Sequence, residues 1–348
     1  MTARFEVPRI QSALDPELEA RIVRRVPMLY ADGADRALDR SAHVRAASSV
    51  TWVGNRLALV QDDANFVALI DPVTGLADAV TLPAGRDDAR TFDVERGNKK
   101  HKLDLEAMTR VPVAGGSLLL ALGSGSRKRR ESVMTLRFGG GGERPTPGEP
   151  AVVPLPELYA ALRDLVDFAG SDMNIEGALY LDGDIRLFGR GNGEAKAGLH
   201  PVDATCDIDW TALAAHIAHP DRDTLPSIRR VTQYELGELD GVRYGFTDAI
   251  RAGRTQILYS AAAEASKSAE ADGEVGGSAL GVLLGELGAS GRWAPVRNAD
   301  GSPFIGKIEG VVLDAADPMR ALVVVDVDDH TAPSELCDVA LSGPWFVR

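Results

Sequence analysis

The sequence predicts an all-β fold of repeated units, a β-propeller, and three observations carry that expectation. One grammar recurs along the chain: an acid followed by Gly or Ala, an apolar run, a turn, a second apolar run, then polar residues. It is seen in "DLEAMTRVPVAGGSLLLALGSGS" (104–126), "NIEGALYLDGDIRLFGRGN" (174–192) and "KIEGVVLDAADPMRALVVVDVDD" (307–329). From Glu106 to Glu176, Asp248 and Glu309 the steps are 70, 72 and 61 residues, a period that marks repeat architectures. The apolar runs are short, rich in Val, Leu and Ile, and broken by turns such as "VGN", "AGGS", "LDGD" and "RAGR", which are hairpin signals.

Taken in order, the first unit is "ASSVTWVGNRLALVQDDANFVALIDP" (47–72), which has serines where the others carry an acid. The units at Glu106 and Glu176 follow, and the fourth is "GFTDAIRAGRTQILYSAAAE" (245–264), with Asp248 in the acid's place. The fifth opens at Glu309. A third strand follows most units ("SVMTLRF", "SALGVLLG", "ELCDVAL"), and a fourth is placed at "IRRVTQYELGEL" (228–239). Four antiparallel strands per unit around a ring give five blades, or six if the first 45 residues hide another. The whole chain, 1–348, then reads as one propeller domain, with a strand around 36–48 completing the last blade and covering its edge.

Two inserted helices are expected on the outside. "LPELYAALRDLVDF" (155–168) has apolar residues at helical spacing, and "DWTALAAHIAH" (209–219) has Asp209 as N-cap. The stretches 139–150 and 266–277, rich in Gly, Pro, Ser and Glu, read as loops.

Composition bounds the partners. The 348 residues are 45% hydrophobic and 26% charged, with a formal net charge of -13. A general nucleic-acid binder needs a positive surface, so that class is excluded, while a small anionic ligand or ester held by a local basic loop is not. The opening residues carry no apolar signal segment and no run is long enough for a membrane span, so a cytoplasmic location is expected. Cys206 and Cys337 lie far apart with no metal-binding spacing, so zinc is not expected.

In a propeller the first strand of each unit lines the channel, and the hairpin brings the end of the second strand beside its start. The acids Glu106, Glu176, Asp248 and Glu309 are therefore expected around one mouth. Asp104, Asn174 and Lys307, two residues before an acid, share its face. Arg127, Arg190, Asn192, Asp326 and Asp328 close second strands, as do Asp62 and Asp63 in the first unit, and His101 lies in the loop "NKKHK" (98–102) just before Asp104. Gathered carboxylates need a hard cation, a basic partner or protons. Calcium, which takes many oxygen ligands, fits Glu106, Glu176, Asp248 and Glu309, with Lys307, Arg127, Arg190 and the loop as the basic alternatives. A further use for such acids is to accept from backbone N–H groups of a neighbouring blade. No nucleophilic triad is supported, and the catalytic residues are unknown.

The units opening "DLEAM", "NIEGAL" and "KIEGVV" resemble those of bacterial phytase-like and esterase-like β-propellers, where a D-x-E-G-like motif starts the inner strand. The wider set "KKHKLDLEA", "LGSGS", "NIEG", "FTDA" and "KIEG" is similar to an uncharacterised bacterial propeller family. The resemblance spans Ser48 to Leu341. It implies the propeller fold, acids at the mouth, and, through the phytase-like enzymes, calcium and hydrolysis of a phosphate or carboxyl ester. A non-catalytic propeller that binds a small ligand or a protein on the same face is the alternative.

Overall fold

The computed structural model describes residues 7–140, 142–222, 224–266, 268, 273–285 and 290–346. The chain is mostly β and forms five antiparallel four-stranded meanders. Their first strands are Ala47–Val53, Leu105–Val113, Ile175–Leu181, Val242–Arg251 and Lys307–Leu313. Each pairs with the strand after the expected turn, and third and fourth strands follow by simple antiparallel pairing.

The strands are apolar on both faces because each meander is packed on both sides. In Arg56–Gln61, Leu57 and Leu59 join a core shared with the fifth meander, while Ala58 and Val60 join one shared with the second. Alternate residues point to opposite faces, so a strand sandwiched between two neighbours reads as a continuous apolar run. Five such cores occur, one at every junction between successive meanders and one between the fifth and the first. This face-to-face succession is an arrangement of β-propeller type.

The fifth meander is completed by an N-terminal strand, but not by residues 36–48. Strand β1 (Arg9–Leu14) and strand β2 (Glu19–Pro27) come first, and β2 pairs antiparallel along the whole of Glu335–Ser342. Residues 36–46 are turns and isolated bridges, and Ala47 already opens the first meander. The physical reason is visible in the sequence of β2, whose Ala20 and Ile22 alternate inward with charged residues outward. Strand β1 runs parallel to the outer edges of both the third and fourth meanders, switching partner between Gln11 and Ser12.

Both helices form. The first is split at Leu165 into α1 (Pro156–Asp164) and α2 (Val166–Ala169), and the second is α3 (Trp210–Ala218), capped by Asp209 accepting from the Ala212 N–H at 2.8 Å. Instead of lying on the outside, Leu158, Tyr159, Leu162 and Phe168 are buried in the core between the second and third meanders. Of the two expected loops, 139–150 carries a short strand at Thr146–Pro147, with Gly141 outside the described residues. In 266–277, residues 267 and 269–272 lie outside the described residues, and the strand Glu274–Leu284 begins directly after. Cys206 and Cys337 are both buried and not joined in a disulfide. No helix among the described residues is long and apolar enough to cross a membrane.

Candidate functional site

One register irregularity recurs at the start of every meander. Pairing between first and second strands slips by one residue between Leu105 and Ala107, Ile175 and Gly177, Phe246 and Asp248, and Ile308 and Gly310, and also between Ala47 and Val50. The residue set aside is Glu106, Glu176, Thr247 and Glu309 in turn, and one of Ser48 and Ser49 in the first meander. A β-bulge leaves its extra residue out of the ladder and re-aims its side chain, for the three glutamates into one shared cavity and for Thr247 onto the Ser260 hydroxyl.

The expected equivalence of Asp248 with the three glutamates is thus wrong by one position. Thr247 holds the acid's place and Asp248 the place of Gly177 and Gly310. A slip of one residue moves a side chain to the other face. Asp248 accepts from the backbone N–H of Val311 at 3.1 Å and of Ala249 at 2.9 Å, and from the Ser49 hydroxyl at 3.2 Å. It ties three inner strands together and is no part of the mouth. Burial pushes its carboxyl well above the usual range.

Glu106, Glu176 and Glu309 do meet, in a cavity that their strand-opening companions Asp104, Asn174 and Lys307 also line. Asp62, Arg190 and Asn192 reach it from the ends of second strands. Within the loop 98–102 the contributors are Lys99 and Lys102, while His101 is turned to Arg129, 2.5 Å from its Nδ1. Arg127 does not line the cavity; Arg130, at the end of the same basic run, does. Glu264, closing the long second strand Gln256–Ala265, completes the wall. Asp63, Asp326 and Asp328 line an adjoining hollow that shares Asp62 and Lys99 with the cavity. There Asp63 is held by Arg45 at 2.5 Å, and Asp326 is driven up to about 8 by burial.

Among the described residues, six carboxylates and five cationic side chains line the cavity, most of them in alternating ion-pair chains. On one side Asn174 donates to Glu176 at 2.6 Å, and Arg190 lies 3.5 Å from Glu176 and 2.8 Å from Glu264. Lys307 continues the chain, 3.6 Å from Glu264 and 2.7 Å from Glu309. On the other side Lys102 bridges Asp62 and Asp104, and Arg130 lies 2.8 Å from Asp104, which also accepts from Ser124. The two cations hold Asp104 well below its ordinary value against the pull of burial.

Glu106 stands between the two chains, and among the described residues no hydrogen bond reaches its carboxylate. Desolvation and the nearby Asp62, Glu176 and Asp104 push it well above the ordinary glutamate value. Glu176 and Asp62 are each raised to about 7, chiefly by burial. Glu309 Oε2, Arg190 Nε and Asn192 Oδ1 are buried without a partner.

The residues fit calcium differently from the expectation. Glu176 and Glu309 are committed to Arg190 and Lys307, and Asp248 to backbone amides. Asp62, Asp104 and Glu106 each offer a carboxylate oxygen within 4.8 Å of the others, a spacing that suits one ion. Lys102 already draws on two of them, so an ion there competes with an ammonium.

A family model matches residues 43–341, and its description is "Family of unknown function (DUF6929)". The chain belongs to this family. The reading of an uncharacterised family therefore stands, and the likeness to phytase-like propellers is not part of what the match shows. No curated protein matches the chain. Among solved structures it is similar to the catalytic domain of the Coprinopsis cinerea GH62 α-L-arabinofuranosidase, at 11% identity and TM-score 0.40, covering 93% of this chain and 96% of that one. It is similar also to the PQQ-bound aldose sugar dehydrogenase of Streptomyces coelicolor, at 10% identity and TM-score 0.40, covering 95% and 100%. A protein of unknown function from Dyadobacter fermentans aligns at 11% identity and TM-score 0.39, covering 94% and 100%. Likeness this distant carries nothing about substrate or reaction.

Proposed function

We propose that this member of the family is a five-bladed β-propeller whose channel mouth binds a cation, or a small polar ligand carrying one, with calcium the ion to test. The observation that carries the reading is Glu106. Its half-buried carboxylate accepts no hydrogen bond among the described residues, offers an oxygen within 4.8 Å of those of Asp62 and Asp104, and is pushed up by burial and by Asp62, Glu176 and Asp104 around it. Asp62, Asp104 and Glu106 would hold the ion as carboxylates, so binding should strengthen as pH rises. Calcium takes roughly six to eight oxygens, so water or an anionic group of a ligand would complete the shell. Arg190 and Lys307 across the cavity suit such an anionic group.

The test is thermal melting of chelator-treated protein with and without calcium, for wild type, Glu106→Gln and Asp248→Asn. A calcium-dependent rise that Glu106→Gln loses and Asp248→Asn keeps supports the reading. No rise in wild type, or one that Glu106→Gln retains, overturns it.

A second reading is hydrolysis of a phosphate or carboxyl ester at the same place. It is favoured by one contrast: Glu106 is pushed up while Asp104, two residues away, is held down. Carboxyls forced apart in this way are how acid–base roles are divided in a site. Turnover of generic phosphate and carboxyl esters, abolished in Glu106→Gln, separates this from binding alone.

A further inference from the structure

We propose a second binding site, for a small organic cation with an apolar body, in the cleft where the third and fourth meanders meet beneath β1. The cleft shares no residue with the mouth. Its floor is formed by the buried Asp203, Tyr234, Leu236 and Tyr244, and its rim by the exposed Glu235, Glu238 and Arg243. Strand β1 crosses it where Gln11 pairs with Glu235 and Ser12 with Gly291.

Two buried groups in the floor have chemistry left unused. Tyr244 is 1% exposed, yet its hydroxyl has no hydrogen-bond partner. Asp203 is 4% exposed, accepts from the backbone N–H of Phe246 at 2.9 Å and of Gly191, and feels the Arg243 and Arg190 guanidiniums without a direct ion pair to either among the described residues. A buried carboxylate supported mainly by backbone amides is a strong acceptor for an ammonium group. The Tyr244 phenolic oxygen, lining the same cleft, can accept a second N–H.

Charge decides the sign of the ligand. Three carboxylates line the cleft against one guanidinium, and Arg243 already donates to the Gly191 carbonyl at 3.3 Å. An anion would face that excess, and a neutral molecule would leave it uncompensated. The rings of Tyr234 and Tyr244 with Leu236 give an apolar body a surface to rest on, the usual make-up of a small-molecule site. Gly237 shapes the wall: at φ +92° it lies so close to Trp293 that a Cβ would fall 2.6 Å from the indole. Trp293 packs edge-on to Tyr244 at 5.1 Å and is a natural reporter of occupancy.

The test uses n-butylammonium as the probe, with n-butanol and butyrate as neutral and anionic counterparts of the same shape. Tryptophan fluorescence and melting temperature are followed in wild type, Asp203→Asn, Tyr244→Phe and Glu106→Gln. The expected result is a saturable response to n-butylammonium only, weakened about tenfold in Asp203→Asn and also reduced in Tyr244→Phe. It should persist in Glu106→Gln, which separates it from cation binding at the mouth. Three outcomes overturn the site: no saturable response, an equal response to butanol or butyrate, or a response undiminished in whichever of Asp203→Asn and Tyr244→Phe fold. Loss in Glu106→Gln would assign the binding to the mouth instead.

Discussion

Glu106, Asp104 and Asp248 hold neighbouring positions in the repeat but live in different electrostatic worlds, the first and last pushed up and the second held down. Asp62 and Glu176, raised to about 7, and Asp326, raised to about 8, bind protons more tightly folded than unfolded. Their ordinary values are 3.8 for aspartate and 4.5 for glutamate. A raised carboxyl favours the fold below its unfolded pKa, and that contribution is lost as pH climbs through the folded value. Denaturant unfolding at pH 5.5 and 8.5 should therefore show greater stability at the lower pH, with a smaller difference in Glu176→Gln. Asp104 works in the opposite sense, its stabilisation present above the ordinary value and lost only in stronger acid. Asp248→Ala should lower stability by about 1–3 kcal/mol, because the Val311 and Ala249 amides lose a buried acceptor, while Asp248→Asn loses less. Urea titration would show both. Which acids would meet was only partly legible at this scale. The three Glu positions followed from the repeat, but Asp248 was matched by residue type, and type carries no information about a one-residue bulge. Arg130 sits in a run of four basic residues, and only packing selects which one turns inward. Glu264 closes a second strand, the very place the grammar points to, but that strand runs to ten residues, longer than the other units suggest.

The hairpins were readable because their turns use Gly and Asp where the backbone needs positive φ, as at Gly54, Gly115 and Gly183. Both helical segments were readable from apolar spacing. Their burial was not, since an amphipathic pattern says that a face is covered without saying by what. The Gly or Ala after each mouth acid has a packing reason. A Cβ at Gly310 would lie 2.7 Å from Val324 Cγ2 and 2.8 Å from the Ser48 carbonyl, on the next meander's first strand. At Gly177 the nearest atom is Phe188 Cβ at 3.2 Å, and the backbone of the fourth meander lies 3.5 Å away. Gly310→Ala should therefore destabilise by about 1–3 kcal/mol and Gly177→Ala by clearly less. Paired chemical denaturation of the two variants checks the order. Equal effects would mean that the inner strands are not packed as closely as described.

At the scale of the molecule, the repeat predicted units facing one another around a centre, and the five inter-meander cores show that succession. The closing strand was sought in the wrong place because Arg36–Ser48 lies directly before the first unit, and nearness in sequence is a weak guide to which segment crosses to the far edge. Strand β2 has the better alternation, and it inserts Ile22, 4% exposed, into the core shared by the fourth and fifth meanders. Ile22→Ala should cost about 2–5 kcal/mol, as large as a central core truncation despite its place near the N-terminus. Differential scanning calorimetry would detect it as a single lowered transition; a separate early transition would mean that β2 peels away by itself. The pairing of β2 with Glu335–Ser342 also bears on biosynthesis. Strand β2 is synthesised long before its partner, so until Glu335–Ser342 follows the nascent chain carries an orphan ribbon. Arrival of Glu335–Ser342, not local strand formation, is then the event that lets the fifth meander lock, and a pause before that segment would prolong the interval in which the ribbon can stick to another chain.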